Sequence, residues 1–168
     1  MVGSFAVGKT SLVSRIVKGI FSEKYLTTVG VKIDRVSIEC EGETFQLMLW
    51  DIEGEDQFAP LKVNFLRGSH GLIFVVDHSR RSTLSAVQSQ IRRIGGNLAE
   101  VPHIVFVNKS DLEQTDFTEE DREAVNALGV PVLRTSAKTA LNVAEGFTQL
   151  TAMMRKVEST RLEPAAHE

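Results

Sequence analysis

The chain has 168 residues, of which 42% are hydrophobic, and a formal net charge of −3 from 19 basic and 22 acidic residues. These values fit one globular domain with one core and exclude an intrinsically disordered chain. The charge balance argues against a nucleic-acid partner, which would need a concentrated basic face. The only cysteine, Cys40, cannot form an internal disulfide, so we expect a reducing, cytoplasmic environment.

Membrane signals are weak along the whole sequence. The longest apolar run near the middle, residues 72–76, is far too short to span a bilayer. The first residues do not resemble a signal peptide, and the polar residues 159–168 contain no cysteine that could carry a lipid. We therefore expect a soluble monomer without a lipid anchor.

In chain order, the first predicted elements are a loop, a helix and a hairpin. A glycine-bounded loop leads into a helix over Lys9–Lys18, which Gly19 ends. Two alternating segments, Val31–Cys40 and 44–50, are predicted as strands. Residues 41–42, Glu-Gly, form the turn between them, so the pair is an antiparallel hairpin.

The rest of the chain alternates between buried strands and helices. Short apolar strands are predicted at 71–77, 103–108 and 130–135, and helices at 82–94, 119–128 and 141–158. This alternation predicts an α/β fold with three layers, a mostly parallel sheet and one antiparallel hairpin strand. We expect one domain over residues 1–158 and a polar tail over 159–168. The strand before the first loop is either very short or begins upstream of Met1, and we favour an upstream segment.

The first loop, from Gly3 to Thr10, satisfies the P-loop pattern G-x-x-x-x-G-K-[ST]. Its glycines let the backbone curl so that N–H groups and the helix N-terminus face phosphate oxygens. Lys9 can reach the β- and γ-phosphates, and the Thr10 hydroxyl can coordinate Mg²⁺. The pattern also fits a chance glycine-rich turn, and it does not separate ATP from GTP. The predicted phosphate-binding residues are Gly3, Phe5, Ala6, Val7, Gly8, Lys9, Thr10 and Ser11.

The segment Asn-Lys-Ser-Asp at 108–111 follows a predicted buried strand, at the sheet edge where open α/β folds bind ligands. The Asp111 carboxylate can accept hydrogen bonds from the N1–H and 2-amino groups of guanine. Adenine lacks these donors and would leave the carboxylate unpaired, at a cost of a factor of about 10² or more. Asn108 can bridge loops and base, and the Lys109 stem can cover the base plane. This motif therefore favours a guanine nucleotide.

Two further segments lie at strand ends. Ser136, Ala137 and Lys138 follow the next strand and support base binding, although a helix N-cap is the alternative for them. Asp51 ends the second hairpin strand, where a carboxylate can hold Mg²⁺ through water or simply cap the strand end. Gly54 follows closely and can offer its backbone N–H to the γ-phosphate.

With these four motifs in this order and spacing, the chain resembles the Ras superfamily of small GTPases over residues 2 to about 155. It is most similar to the Rab branch, through segments 25–31 and 67–71, Trp50 before the strand-end aspartate, and Asn142-Val143. The resemblance implies a G domain that cycles between GTP and GDP with Mg²⁺. Protein effectors and regulators would read it through switch I, about 22–29, and switch II, about 54–67. A prokaryotic or otherwise soluble relative fits the missing lipid-anchor cysteine.

The resemblance also implies roles for individual residues. Thr28 would be the switch I threonine that closes over Mg²⁺ and the γ-phosphate. Phe21 would pack edge-on to the guanine, with a core phenylalanine that caps the first helix as the alternative. Lys9, Thr28, Gly54 and Glu55 would be the residues closest to catalysis.

Three positions depart from the family pattern. Glu55 replaces the usual switch II glutamine, Glu53 replaces a small residue, and Phe5 replaces a small residue in the P-loop. A carboxylate about 4 Å from a phosphate charge is repelled by about 4 kcal/mol at an intermediate dielectric. Phe5 could block the path of a partner's arginine finger, while Glu55 could instead act as a base towards the attacking water.

We expect slow GTP hydrolysis, and the alternative is a binding module that does not hydrolyse GTP. A nucleotide kinase is a weaker third reading. It would need a second substrate site and an arginine-rich lid, and the sequence offers neither.

Overall fold

The computed structural model describes residues 1–23, 28–52, 66–94 and 100–162, except for the side chains of residues 94, 122 and 162. The alternation of strands and helices predicted from the sequence is confirmed. The elements are α1 Lys9–Lys18, β1 Val31–Cys40, β2 Glu43–Ile52, β3 Leu72–Asp77, α2 Ser82–Ile94, β4 His103–Asn108, α3 Glu119–Asn126, β5 Val132–Arg134 and α4 Val143–Leu162.

The hairpin has a two-residue turn. Glu41 and Gly42 have φ angles of 50° and 81°, and Cys40 pairs directly with Glu43 on the far side of the turn. Two consecutive positive φ angles match the twist of an antiparallel ribbon, which lets pairing begin at once. The second strand is therefore longer than the predicted 44–50.

The C-terminal half also departs in detail from the predicted bounds. β5 is three residues long, and α3 ends at Asn126. α4 runs to Leu162, so it includes the first four residues of the segment predicted as a polar tail. Helix ends are set by tertiary packing as well as by local propensity, which is why the sequence places them less well.

β3, β4 and β5 form a parallel sheet in that order, and β1 pairs only with β2 among the described strands. Val2 takes the place of the expected first strand. It forms a parallel bridge with Phe74, donates its N–H to the Ile73 carbonyl at 2.8 Å and accepts the Val75 N–H at 2.8 Å. This bridge fixes the start of the first loop against β3.

Two apolar clusters cover the two faces of the parallel sheet, because successive strand residues point to opposite sides. One cluster contains Phe74 of β3 and packs under α2 and α3, and the other contains Phe106 of β4 and packs under α1 and α4. A Cβ placed on Gly146 would lie 2.4 Å from the Phe106 ring, so glycine lets α4 approach this closely. The predicted three layers are confirmed.

Within the described ranges, no helix is long and apolar enough to cross a membrane.

Candidate functional site

A cavity of about 980 Å³ opens at the carboxyl edge of the sheet, between the first loop and the loops that follow β4 and β5. Residues of the two sequence motifs, which are about 100 residues apart in the chain, both line this cavity. Most residues that the sequence singled out for ligand binding line this cavity. They are Phe5, Ala6, Gly8, Lys9, Thr10, Ser11, Phe21, Thr28, Asn108, Lys109, Asp111, Ala137 and Lys138.

The first loop curls through positive φ angles at Gly3, Ala6 and Gly8, and Gly8 is the N-cap of α1 in the left-handed region. A Cβ on Gly3 would lie 2.4 Å from the Val75 carbonyl oxygen, so only glycine fits at this crossing of the loop over β3. Val7 is fully buried beneath the loop. Glycines at Gly3 and Gly8 therefore let the loop backbone curl tightly, as phosphate binding requires.

Lys9 is held within this curl. Its side chain is buried, and its Nζ donates to the carbonyls of Gly3 at 2.8 Å and Ser4 at 3.1 Å. The first turn of α1 contains no acidic residue. A lysine ammonium and a helix N-terminus thus face the same cavity, and both attract anions.

Thr10, Thr28 and Asp51 form a cluster of oxygen ligands beside the lysine. The Thr10 hydroxyl donates to Asp51 Oδ2 at 2.6 Å, so the Thr28 hydroxyl, also at 2.6 Å, must be the donor in the Thr10–Thr28 bond. Asp51 is buried, and its Oδ1 has no hydrogen-bond partner among the described residues. Hydroxyl and carboxylate oxygens are ligands that Mg²⁺ accepts, so this donor set fits the predicted cation.

The Asn108 side chain joins three loops. Its Nδ2 donates to the Val7 carbonyl at 2.9 Å, and its Oδ1 accepts the Ala137 N–H at 3.3 Å and the Thr135 hydroxyl at 3.4 Å. Asn108 is almost fully buried. The predicted bridging of loops is confirmed, and a contact with a base stays a prediction.

Ser136 orients the carboxylate expected to recognise the base. Its hydroxyl donates to Asp111 Oδ1 at 2.6 Å and accepts the Thr139 N–H at 3.0 Å. Because α4 begins only at Val143, Ser136 is not the N-cap of that helix. Its buried hydroxyl instead holds Asp111 at the cavity wall.

Arg15 is a residue of the site that the sequence did not reveal. Its guanidinium donates to the carbonyls of Ala137 at 2.7 Å, Lys138 at 2.8 Å and Gly19 at 2.6 Å. A basic residue in the last turn of α1 is visible in the sequence as a favourable partner of the helix C-terminus. Its long-range contacts with the 136–138 loop are not visible there.

Asp77, the last residue of β3, is a second feature that the sequence analysis missed. Its carboxylate is fully buried and accepts bonds from Lys109 Nζ at 2.7 Å and Arg80 Nε at 2.9 Å. Burial by itself would raise the pKa of Asp77, but the hydrogen bonds from Lys109, Ser79 and Arg80 together hold that pKa below its ordinary value. The strand-end position, shared with Asp51, was the signal that could have found it.

Glu23 and Lys138 line the cavity and form an ion pair with each other. Their charged atoms lie 3.5 Å apart, and both side chains are exposed, so the pair contributes little stability.

Phe21 lines the cavity and also packs against the core cluster under α1, so both predicted roles are compatible with its position. Gly54, Glu55 and Glu53 lie outside the described residues.

Three features define a P-loop domain of the GTP-binding type. They are the glycine-rich loop that encloses a lysine, the cluster of hydroxyl and carboxylate oxygens, and the oriented aspartate. Comparison with known families gives the same class, since the sequence model of the Ras family matches residues 1–156. The chain therefore belongs to the Ras family of GTP-binding switch GTPases.

Proposed function

We propose that this Ras-family protein is a monomeric, cytoplasmic guanine-nucleotide switch that binds GDP and GTP with Mg²⁺ and hydrolyses GTP slowly. We place it closest to the Rab branch. The single observation that carries the proposal is the cavity of about 980 Å³ in which Lys9 and Asp111 face the same space. One residue is suited to phosphate and the other to guanine.

At the phosphate end, the loop N–H groups and Lys9 bind and orient the β- and γ-phosphates. The oxygens of Thr10, Thr28 and Asp51 would hold Mg²⁺, which when bound supplies positive charge to neutralise the phosphates. Thr28 contacts Thr10 at 2.6 Å although it belongs to the predicted switch I segment. This contact makes the position of Thr28 depend on what occupies the phosphate end.

At the base end, Asp111 accepts the two donors of the guanine edge, and the bond from Ser136 fixes the carboxylate in advance. Fixing the acceptor before binding reduces the ordering cost that the nucleotide must overcome. Phe21 and the Lys109 stem line the cavity and are placed to cover the faces of the base.

Slow hydrolysis is proposed from two residues. Phe5 is 45% exposed and lines the cavity beside the lysine, so its ring restricts approach to the phosphates from outside. Glu55 stands where the family has the glutamine that orients the attacking water. A carboxylate near the γ-phosphate also repels its charge.

The outer face of the hairpin is proposed as the surface that effectors and regulators contact. Ile33, Met48 and Trp50 on the hairpin, and Val29 just before it, are large, apolar and exposed, and Ile33 lies directly opposite Trp50 in the strand pairing. Exposed apolar patches of this kind mark protein interaction sites. The patch begins one residue after Thr28, so a change at the cation site alters one border of it.

The test is single-turnover hydrolysis. The purified protein is stripped of nucleotide, loaded with GTP and Mg²⁺, and compared with a Glu55→Gln variant while GDP is measured over minutes to hours. GDP that accumulates, at a rate changed by Glu55→Gln, supports the slow switch. Intact GTP in both proteins would favour the non-hydrolysing module, and failure to bind any guanine nucleotide would overturn the proposal.

A further inference from the structure

We propose that Asp77 is a positioning residue that couples the base-binding loop to the phosphate loop through Lys109 and Arg80. The inference rests on the proposed nucleotide site and extends it. Neither Asp77 nor Arg80 lines the cavity. Both must therefore act through the residues that they hold.

The first link joins Asp77 to the base loop. Lys109 lines the cavity, and its Nζ donates to Asp77 Oδ2 at 2.7 Å. The Lys109 backbone has a φ of 61°, an unusual conformation for a residue with a side chain. The buried carboxylate thus anchors the far end of the side chain that is placed to cover the base.

The second link joins Asp77 to the phosphate loop. Arg80 donates from Nε to Asp77 Oδ2 at 2.9 Å and from Nη2 to the Phe5 carbonyl at 2.8 Å. The same carboxylate oxygen therefore accepts from both cations. Because the two cations share one acceptor oxygen, a displacement of either cation changes the bond to the other. Ser79 fixes the second oxygen, Oδ1, through its backbone N–H at 2.9 Å and its hydroxyl at 2.7 Å.

This connection predicts a specific signature when the carboxylate is removed. Lys109 can cover any purine, whereas Asp111 alone distinguishes guanine by its 2-amino group. Losing Asp77 should therefore weaken the binding of GDP and inosine diphosphate by the same factor. We expect both nucleotides to dissociate about tenfold faster, as for the loss of one charged hydrogen bond of roughly 1.4 kcal/mol. The preference for guanine should stay.

The experiment measures dissociation of labelled GDP and inosine diphosphate from the full chain carrying Asp77→Asn, beside wild type. Arg81→Gln is the matched control, because the neighbouring Arg81 pairs with Asp121 outside the cavity. Equal acceleration for both nucleotides with an unchanged Arg81→Gln variant supports the inference. Unchanged dissociation from Asp77→Asn, or loss of the guanine preference, overturns it. A wild-type chain that binds neither nucleotide would overturn the proposed function itself.

Arg80→Gln keeps the inference testable if Asp77→Asn does not fold, since the Arg80 side chain is 40% exposed. It removes the link to the phosphate loop without disturbing the core, and we expect GDP release about threefold faster, within the range of one partly exposed hydrogen bond. The double variant should release GDP no faster than Asp77→Asn alone, because both changes break one pathway. Unchanged GDP release from Arg80→Gln contradicts the coupling. A double variant that releases GDP faster than Asp77→Asn alone also contradicts it.

Discussion

The amide nitrogen of Asn108 lies 2.4 Å from the point where a Cβ on Gly8 would be placed. The same nitrogen donates to the Val7 carbonyl at 2.9 Å. The last glycine of the phosphate loop and the first residue of the base motif are thus fitted against each other. Phosphate and base recognition share this contact, so a change at either residue affects both.

Gly8→Ala should abolish this fit. Its φ of 97° already disfavours a side chain, and the added Cβ would displace Asn108. We expect at least a tenfold loss of GDP affinity and a lower melting temperature, measured by titration and thermal unfolding. Gly129→Ala is the control, because Gly129 has a φ of 70° and no atom of the described residues lies within 4 Å of where its Cβ would be placed. It should cost about 1 kcal/mol of stability and leave GDP affinity intact. Equal loss of GDP affinity in both variants would contradict the role of the Asn108 contact.

Asp111→Asn should change which base is bound. An amide cannot accept both guanine donors, but its NH₂ can donate to the 2-carbonyl of xanthine. We expect GDP affinity to fall by about 10² or more and xanthosine diphosphate affinity to rise. Asp116→Asn, at an exposed carboxylate outside the cavity lining, is the control. If Asp111→Asn kept its preference for GDP, the assignment of Asp111 to the base would fail.

Asp51→Ala should remove most of the effect of Mg²⁺ on nucleotide release. In wild type, chelation of Mg²⁺ by EDTA should accelerate GDP dissociation at least tenfold, because the phosphates lose a neutralising charge. In Asp51→Ala, release should already be fast and change little on chelation. Thr44→Ala, whose hydroxyl bonds Glu39 on the exposed hairpin face, should behave as wild type. A full EDTA response in Asp51→Ala would exclude Asp51 from the cation site.

Asp77 should make stability depend on pH in acid. The pKa of Asp77 in the folded protein lies below its ordinary value of 3.8. Its contribution to the free energy of unfolding is therefore present above pH 3.8 and is lost as the pH falls through the folded pKa. At pH 7 we expect Asp77→Asn to lower the free energy of unfolding by about 2 kcal/mol, as for a hydrogen bond to a charged group. The difference from wild type should shrink steadily below pH 4 in urea unfolding series. A difference that stays constant down to pH 2 would contradict an ionised Asp77.

Several elements were predicted at their observed bounds because their end signals are local. α1 ends at Lys18 because Gly19 adopts a left-handed φ of 67°, and β1 ends at Cys40 because the Glu41-Gly42 turn follows. The capping box of α3, between Thr118 and Asp121, is likewise visible in the sequence. β5 and α4 were misjudged in length, since the extent of pairing and packing sets their ends.

By itself, the sequence determined the α/β alternation, the phosphate loop and the base motif. Each of these depends on neighbours within a few positions, so composition and spacing reveal it. Only the tertiary structure showed that Thr10 meets Asp51, 41 residues away, and that Arg15 holds the carbonyl of Ala137, 122 residues away. The role of Asp77 emerged in the same way. These contacts depend on strand order and on the approach of loops at one sheet edge, and local conformational preference carries no information about either.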